Sequence, residues 1–129
     1  MTWRWIGEAV LLAIHDEQLA EHGGRPDIRD LNLLRSALAR PQNRAACGEA
    51  DLHGLAAAYA YGIARDHPFV DGNKRVAFIA AALFLLDHGV EIAASDEAVV
   101  TAMLRLAAGD MGEEQFAAWL RETSAATSE

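Results

Sequence analysis

Cysteine is almost absent from this chain, and this excludes two common ways of stabilising a small protein. The only cysteine among the 129 residues is Cys47, so an internal disulfide is excluded. No group of cysteines and histidines has the spacing of a zinc site. A chain of this length buries about two thirds of its unfolded surface and needs neither device. We expect one domain over residues 1–129, in a reducing and therefore cytoplasmic compartment.

Long hydrophobic runs are missing as well. The uninterrupted apolar run at residues 76–86 is much shorter than the roughly 20 residues that a membrane span requires. The short apolar stretch at residues 9–14 has charged neighbours on both sides, which is not typical of a secretory signal. We therefore expect no membrane association, and we interpret residues 76–86 as a helix buried on all sides.

Basic residues are few. The chain has 11 lysines and arginines against 19 acidic residues, which gives a formal net charge of −8. This balance argues against direct binding to nucleic acid or to an anionic membrane surface. It would suit a basic partner better.

Sustained strand alternation is absent, and almost every segment has the apolar spacing of a helix. The sequence predicts a first helix from Ile6 to the glycine pair at 23–24, and a short second helix from Leu31 that Pro41 halts. Residues 41–51 are expected to be irregular and could form a flap over an active site. The other expected elements are helices over 52–66, 73–88, 95–107 and 112–122, an extended segment at 90–93 and a frayed tail over 123–129.

The run from residue 67 to residue 75 reads His-Pro-Phe-Val-Asp-Gly-Asn-Lys-Arg and lies between two expected helices. Glycine, asparagine and the first backbone amides of a helix form a concave anion site at the positive end of the helix dipole. Lys74 and Arg75 fall in the first helical turn, where cations are unfavourable unless an anion lies beside them. The sequence therefore predicts a phosphate-binding site.

Each residue of this run has a candidate role. His67 is the candidate general base, although alone it would be interpreted as a histidine bonded to a carbonyl at a helix end. Asp71 is expected to hold Mg²⁺, which prefers one or two carboxylates plus phosphate oxygens. Gly72 lets the backbone approach phosphates, and Asn73 could cap the helix or hold the loop. Arg65 could reach a phosphate or lie on a solvated helix face.

This run resembles the signature of the Fic/Doc family, and within it the death-on-curing (Doc) toxins more than the adenylylating Fic enzymes. Adenylylating members have His-Pro-Phe-x-x-Gly-Asn-Gly-Arg-x-x-Arg, whereas this chain has Lys74 at the last glycine and Phe78 at the final arginine. Residues 28–42, 55–66 and the segment near 94 are also similar to Doc toxins. The resemblance implies a compact, all-α Fic fold with a central buried helix after the active-site loop.

The resemblance also implies an activity. The lysine would fill the space that the α-phosphate of ATP occupies in an adenylylating enzyme, and the loss of the arginine would remove a clamp on the rest of the triphosphate. A Doc-like enzyme accordingly binds ATP in the opposite orientation. It then transfers the γ-phosphate to a protein hydroxyl. In that reaction His67 would deprotonate the hydroxyl, Asp71 would hold Mg²⁺, and residues 72–75 would cradle the phosphates.

Two partners follow from the same resemblance. The implied target is elongation factor Tu, whose modification stops translation. The implied inhibitor is a Phd-like antitoxin supplied in trans, because the chain lacks the Ser/Thr-x-x-x-Glu-Gly/Asn pattern of the inhibitory helix in many Fic proteins.

Three alternative functions differ from γ-phosphate transfer in the reaction that they predict. The chain could be an adenylyltransferase of the Fic type, or a catalytically silent protein that only binds an antitoxin. It could also be a metal-dependent phosphohydrolase with a His…His-Asp…Asp arrangement, since His15 and Asp16 supply the dyad. No histidine precedes His15, however, and no fourth ligand is evident.

The remaining histidines and aromatic residues are expected to have structural or surface roles. Phe69 is expected to anchor the loop in the core, and Cys47 to be inert. The others are His15, His22, His53, His88, Trp3, Trp5, Trp119, Tyr59 and Tyr61.

Overall fold

The computed structural model describes residues 2–49 and 51–127, and these residues are mostly helical. Two three-residue strands pair antiparallel, with Val90 opposite Ala126. The expected all-α fold is confirmed, apart from this small sheet. The elements are α1 (Glu8–His22), α2 (Leu31–Ala46), α3 (Leu52–Asp66), α4 (Asn73–Asp87), β1 (Val90–Ile92), α5 (Asp96–Ala108), α6 (Glu113–Thr123) and β2 (Ser124–Ala126).

Helix α3 lies at the centre of the packing, and its small side chains are the reason. It contacts α2, α4, α5 and α6, and most of its buried residues are alanines and glycines. At Gly62 an added Cβ would lie 3.2 Å from the Cα of Ala37, so α2 and α3 approach closely there. This packing fixes the end of α3 from which the predicted active-site loop departs.

Helix α4 follows that loop and packs against α3, α1, α5 and β1, as expected for the central buried helix. The prediction that it is buried on all sides is wrong. Phe78 and Ile79 are only half-buried, and Leu86 is 53% exposed. A small domain cannot cover all its apolar surface, so an apolar run does not by itself require complete burial. Among the described residues, no helix combines the length and apolarity needed to cross a membrane.

Helix α2 does not stop at Pro41, contrary to the prediction, but continues to Ala46. A proline inside a helix loses one backbone hydrogen bond and typically costs about 3 kcal/mol. Contacts distant in sequence offset this cost. Arg40 and Arg44 both donate hydrogen bonds to the Glu113 carboxylate at the start of α6. Burial alone would lower the pKa of Arg44, but its hydrogen bonds to Glu114 and Glu113 more than compensate and raise the pKa.

The predicted flap over the active site is also wrong. The segment between α2 and α3, residues 47–51, leads into the first turn of α3, whereas His67 follows the last turn of α3. The 15 residues of α3 span about 22 Å at the usual helical rise, so this segment cannot cover His67. Residue 50 of the predicted flap lies outside the described residues.

The end of the chain differs from the expected frayed tail. Thr123 ends α6, and Ser124–Ala126 form β2 on the edge of β1. The prediction is therefore wrong for these residues, because a strand partner more than thirty residues away is not visible in the local sequence. Residues 128–129 lie outside the described part. The predicted cap at Ser95 is confirmed, since its hydroxyl accepts a hydrogen bond from the backbone of Ala98.

Removing the shared carboxylate of Glu113 should destabilise the fold. The Glu113 side chain is only 9% exposed, so Glu113→Ala leaves Arg44 without its best-buried partner and should cost about 2 kcal/mol. Arg121→Ala breaks the exposed pair with Asp51 and should cost less than about 1 kcal/mol. Urea unfolding of both variants measures the difference. Equal costs would mean that this carboxylate does not hold the helix past Pro41.

Candidate functional site

His67 occupies the turn at the end of α3 in a left-handed conformation, with φ 51° and ψ 59°. This conformation costs a residue with a Cβ roughly 1–2 kcal/mol, so surrounding contacts must impose it. Arg29 does so, since its guanidinium donates hydrogen bonds to the carbonyl oxygens of His67 and Asp66 at 2.6 and 2.5 Å. The imidazole is exposed and makes no hydrogen bond within the described residues. It is therefore placed as a free proton acceptor and does not cap a carbonyl.

A second chain segment holds the loop from outside. The backbone amides of Arg29 and Asp30 both donate to the carbonyl of Pro68, and the amide of Val70 donates to the carbonyl of Asp27. Sequence analysis missed this segment, because nothing in the local pattern after the glycine pair predicts pairing with residues forty positions away. These backbone hydrogen bonds thus hold the loop against the segment before α2.

Asn73 closes the loop through its side chain. Its amide nitrogen donates to the Phe69 carbonyl at 2.8 Å, and its side-chain oxygen accepts from the Phe69 amide at 3.0 Å. The Asn73 side chain is buried, so it holds the loop and does not cap α4. Only its backbone amide could meet a phosphate. Phe69 is 1% exposed, which confirms its predicted role as the anchor of the loop.

Asp71 presents one free carboxylate oxygen. Its Oδ2 accepts a hydrogen bond from the backbone amide of Arg25 at 2.8 Å, and its backbone carbonyl lies 2.9 Å from Nε2 of His15. No cluster of three or more acidic, histidine or cysteine ligands occurs in residues 2–49 and 51–127. A cation at Asp71 would therefore take its other ligands from phosphate oxygens and water, which suits Mg²⁺.

The start of α4 has the features of an anion site. Gly72 precedes the helix with φ 87°, a conformation that favours glycine, and no side chain caps the helix. The first amides of a helix have no acceptor within the helix. Lys74 and Arg75 are exposed there, and neither has an ion-pair partner among the described residues. Two cations at the positive end of a helix dipole favour a bound anion.

A cleft of about 780 Å³ opens beside this helix end. Its volume lies within the range of small-molecule sites, roughly 300–1,000 Å³. The polar end contains Gly72, Lys74 and Arg75 together with Gln18 and His22 of α1. The other wall is apolar and includes Phe78, Ile79, Val99, Val100, Met103 and Leu104.

Gln18 and His22 were not identified from the sequence. The available signal was their spacing, because they follow His15 by three and seven positions and therefore share its helix face. His15 itself was expected to be structural, and its burial at 1% agrees with that. Its Nε2 is engaged by the Asp71 carbonyl and Asp16 is exposed, so the two do not form the metal dyad of a phosphohydrolase.

Arg65 is not brought to the cleft. Its guanidinium lies 5.6 Å from the ring centre of Tyr61 and next to Gly109 at the end of α5. The structure gives no support to the predicted phosphate contact of Arg65, whose side chain is exposed on the helix and does not line the cleft. The other predicted residues share one loop and the first turn of α4.

Comparison with known proteins identifies the family of this chain. The model of the Fic/DOC family matches residues 5–85. The chain is 38% identical over 95 residues to a protein named Protein kinase doc from Escherichia phage P1, covering 73% of this chain and 75% of that protein. It is 46% identical over 74 residues to Toxin Doc of Mycolicibacterium smegmatis, covering 56% of this chain and 57% of that protein. The resemblance inferred from the loop is confirmed, and the chain belongs to the Fic/DOC family.

Proposed function

We propose that this protein is a cytoplasmic toxin that transfers the γ-phosphate of ATP to a hydroxyl of a translation factor, which by resemblance is elongation factor Tu. The observation that carries this proposal is a pair of cations at the start of α4 that have no ion-pair partner in residues 2–49 and 51–127, on the same short loop as the exposed His67. The names of the two relatives, one a protein kinase and one a toxin, support the same class.

The phosphates of ATP would lie against the first turn of α4. The backbone amides there and the charges of Lys74 and Arg75 would bind them, and the rest of the nucleotide would extend into the cleft. The free oxygen of Asp71 would hold Mg²⁺ over the phosphates. That ion, when bound, neutralises charge that develops on the transferred group.

His67 would act on the acceptor hydroxyl. The free imidazole takes the hydroxyl proton, the hydroxyl oxygen forms a bond to the γ-phosphorus, and the bond from that phosphorus to the leaving ADP oxygen breaks. Little covalent work falls to the protein in such a transfer. The fixed loop therefore contributes mainly by positioning, and the cations contribute by neutralising charge.

A Phd-like antitoxin would inhibit the enzyme by covering the cleft. Val100 and Leu104 of α5 are 57% and 53% exposed, and they continue the apolar wall of the cleft outward. An apolar segment supplied by a second protein would bury this wall and block access to Lys74. The antitoxin would then inhibit the enzyme by occupying the nucleotide site.

The apolar wall can be tested by charge substitution. Leu104→Arg should weaken binding of a co-expressed Phd-like protein by at least about tenfold, because a buried unpaired charge is costly. Leu86→Arg is the matched control, since Leu86 is equally exposed but does not line the cleft. Calorimetric titration measures both affinities. Equal affinities would place the antitoxin elsewhere.

The reaction can be identified by supplying ATP labelled at the α or the γ position together with purified elongation factor Tu. We expect only the γ label on protein, and His67→Ala should reduce the rate by about 10²–10⁴ while nucleotide affinity and unfolding temperature stay unchanged. Protein-bound α label would identify an adenylyltransferase. Absence of both labels would contradict the proposed transfer to this factor. Arg65→Ala should leave the rate unchanged, since that side chain lies away from the cleft.

Lys74 should determine which phosphate is transferred. Lys74→Gly removes the side chain expected to fill the α-phosphate position, so γ transfer should fall and α transfer should become detectable. Lys74→Arg keeps a long cation and should retain γ transfer. The same labelled nucleotides measure both variants, and an unchanged product from Lys74→Gly would show that lysine does not set the orientation of the nucleotide.

A further inference from the structure

His15 lies beneath the active-site loop although it belongs to α1, more than fifty residues earlier in the chain. Its ring stacks on Phe69 with 3.8 Å between ring centres and 13° between planes. A Cβ added to Gly72 would lie 3.6 Å from its Cδ2, and its Nε2 is 2.9 Å from the Asp71 carbonyl oxygen. One buried imidazole therefore contacts the loop at Phe69, Asp71 and Gly72.

The hydrogen bond to Asp71 defines the protonation of the ring. A carbonyl oxygen only accepts, so Nε2 of His15 must carry the hydrogen and donate it. Phenylalanine or leucine would fill the same space without burying a polar ring. The imidazole is 1% exposed, and burying a polar group is costly unless it is hydrogen-bonded. The contact with the Asp71 carbonyl thus explains why this position is a histidine.

Asp71 is held from two sides. The His15 ring fixes the peptide group between Asp71 and Gly72, and the Arg25 amide fixes one carboxylate oxygen. The orientation of that peptide group sets both the direction of the Asp71 side chain and the left-handed turn at Gly72. A change at His15 would therefore move the free carboxylate oxygen relative to the first amides of α4.

We propose that His15 is a positioning residue, which aims the Asp71 carboxylate at the cation that would lie over the phosphates. The inference rests on the proposed function, but it adds a residue that touches neither nucleotide nor acceptor. His15 acts through the Asp71 carbonyl, so its removal should affect the dependence on Mg²⁺ more than the stability of the nucleotide complex without metal.

Two variants separate the hydrogen bond from the packing. His15→Phe keeps a flat ring against Phe69 but has no donor, whereas the amide of His15→Gln can reach the Asp71 carbonyl. His15→Phe should raise the Mg²⁺ concentration for half-maximal ATP binding by about 10–100-fold, the usual effect of removing a hydrogen-bond partner behind a metal ligand. His15→Gln should recover most of this loss. Calorimetry at varied Mg²⁺ measures both, and ATP affinity without Mg²⁺ should change little.

His53→Gln is the matched control. It also replaces a histidine, here a half-buried one, but His53 lies in the first turn of α3, at the opposite end from the loop. Its Mg²⁺ dependence should equal that of the unsubstituted protein. Equal Mg²⁺ dependence of His15→Phe and His53→Gln would overturn the positioning role.

A second measurement does not depend on nucleotide. The Arg25 amide donates to the Asp71 carboxylate, so its hydrogen exchange reports the position of that carboxylate. Exchange at Arg25 should be faster in His15→Phe than in His15→Gln, and unchanged exchange would overturn the inference. If the unsubstituted protein binds no Mg²⁺–ATP, the proposed function fails, whereas the exchange result still decides whether His15 positions the loop.

The position of the ring hydrogen of His15 can be tested without a variant. Nitrogen NMR of the unsubstituted protein should show a protonated Nε2 on His15, with slow exchange of that hydrogen. A ring protonated only at Nδ1 could not donate to the Asp71 carbonyl and would overturn the proposal even if His15→Phe failed to fold.

Discussion

Two hydrogen bonds between the Asn73 side chain and the backbone of Phe69 hold the candidate site together. They tie the first residue of α4 to the residue that anchors the loop in the core, so the short segment between them becomes a closed ring. Asp71 and Gly72 lie within that ring and cannot move independently of α4. Because α4 packs on α3, the same connection fixes His67 relative to the start of α4. Without it, the exposed groups would belong to a flexible turn.

The grouping of the candidate site residues was predictable from sequence because they are nearly contiguous. His67, Asp71, Gly72 and Lys74 lie within nine residues, between two segments with strong helical patterns, so local rules were sufficient to place them. The roles inside the loop were less predictable. Asn73 could cap α4 or hold the loop, and only the three-dimensional position of Phe69 distinguishes these two roles. His15 was identified as structural, but its contact with the loop is not encoded in any local pattern.

The errors at Pro41 and at the chain end share one physical cause, which is stabilisation by partners distant in sequence. Pro41 is a strong local signal for a helix end, yet Arg44 and Glu113 make the helix continue past it. The expected tail pairs with the strand at residues 90–92. The expected flap leads into the start of α3, whereas His67 follows its end. Arg65 is near the loop in sequence but not in space, since a helix turns by about 100° per residue and directs neighbouring side chains differently.

The candidate site is positively charged, whereas the molecule as a whole is negatively charged. The protein carries a net charge of −8, yet Lys74 and Arg75 stand at the positive end of α4 without ion-pair partners among the described residues. Their charges repel the helix dipole, so their position is unfavourable unless an anion lies beside them. A polyphosphate at this position would be attracted both by the helix dipole and by the two side-chain charges. The acidic surface would repel a nucleotide elsewhere, and the uncapped helix start is where attraction is concentrated.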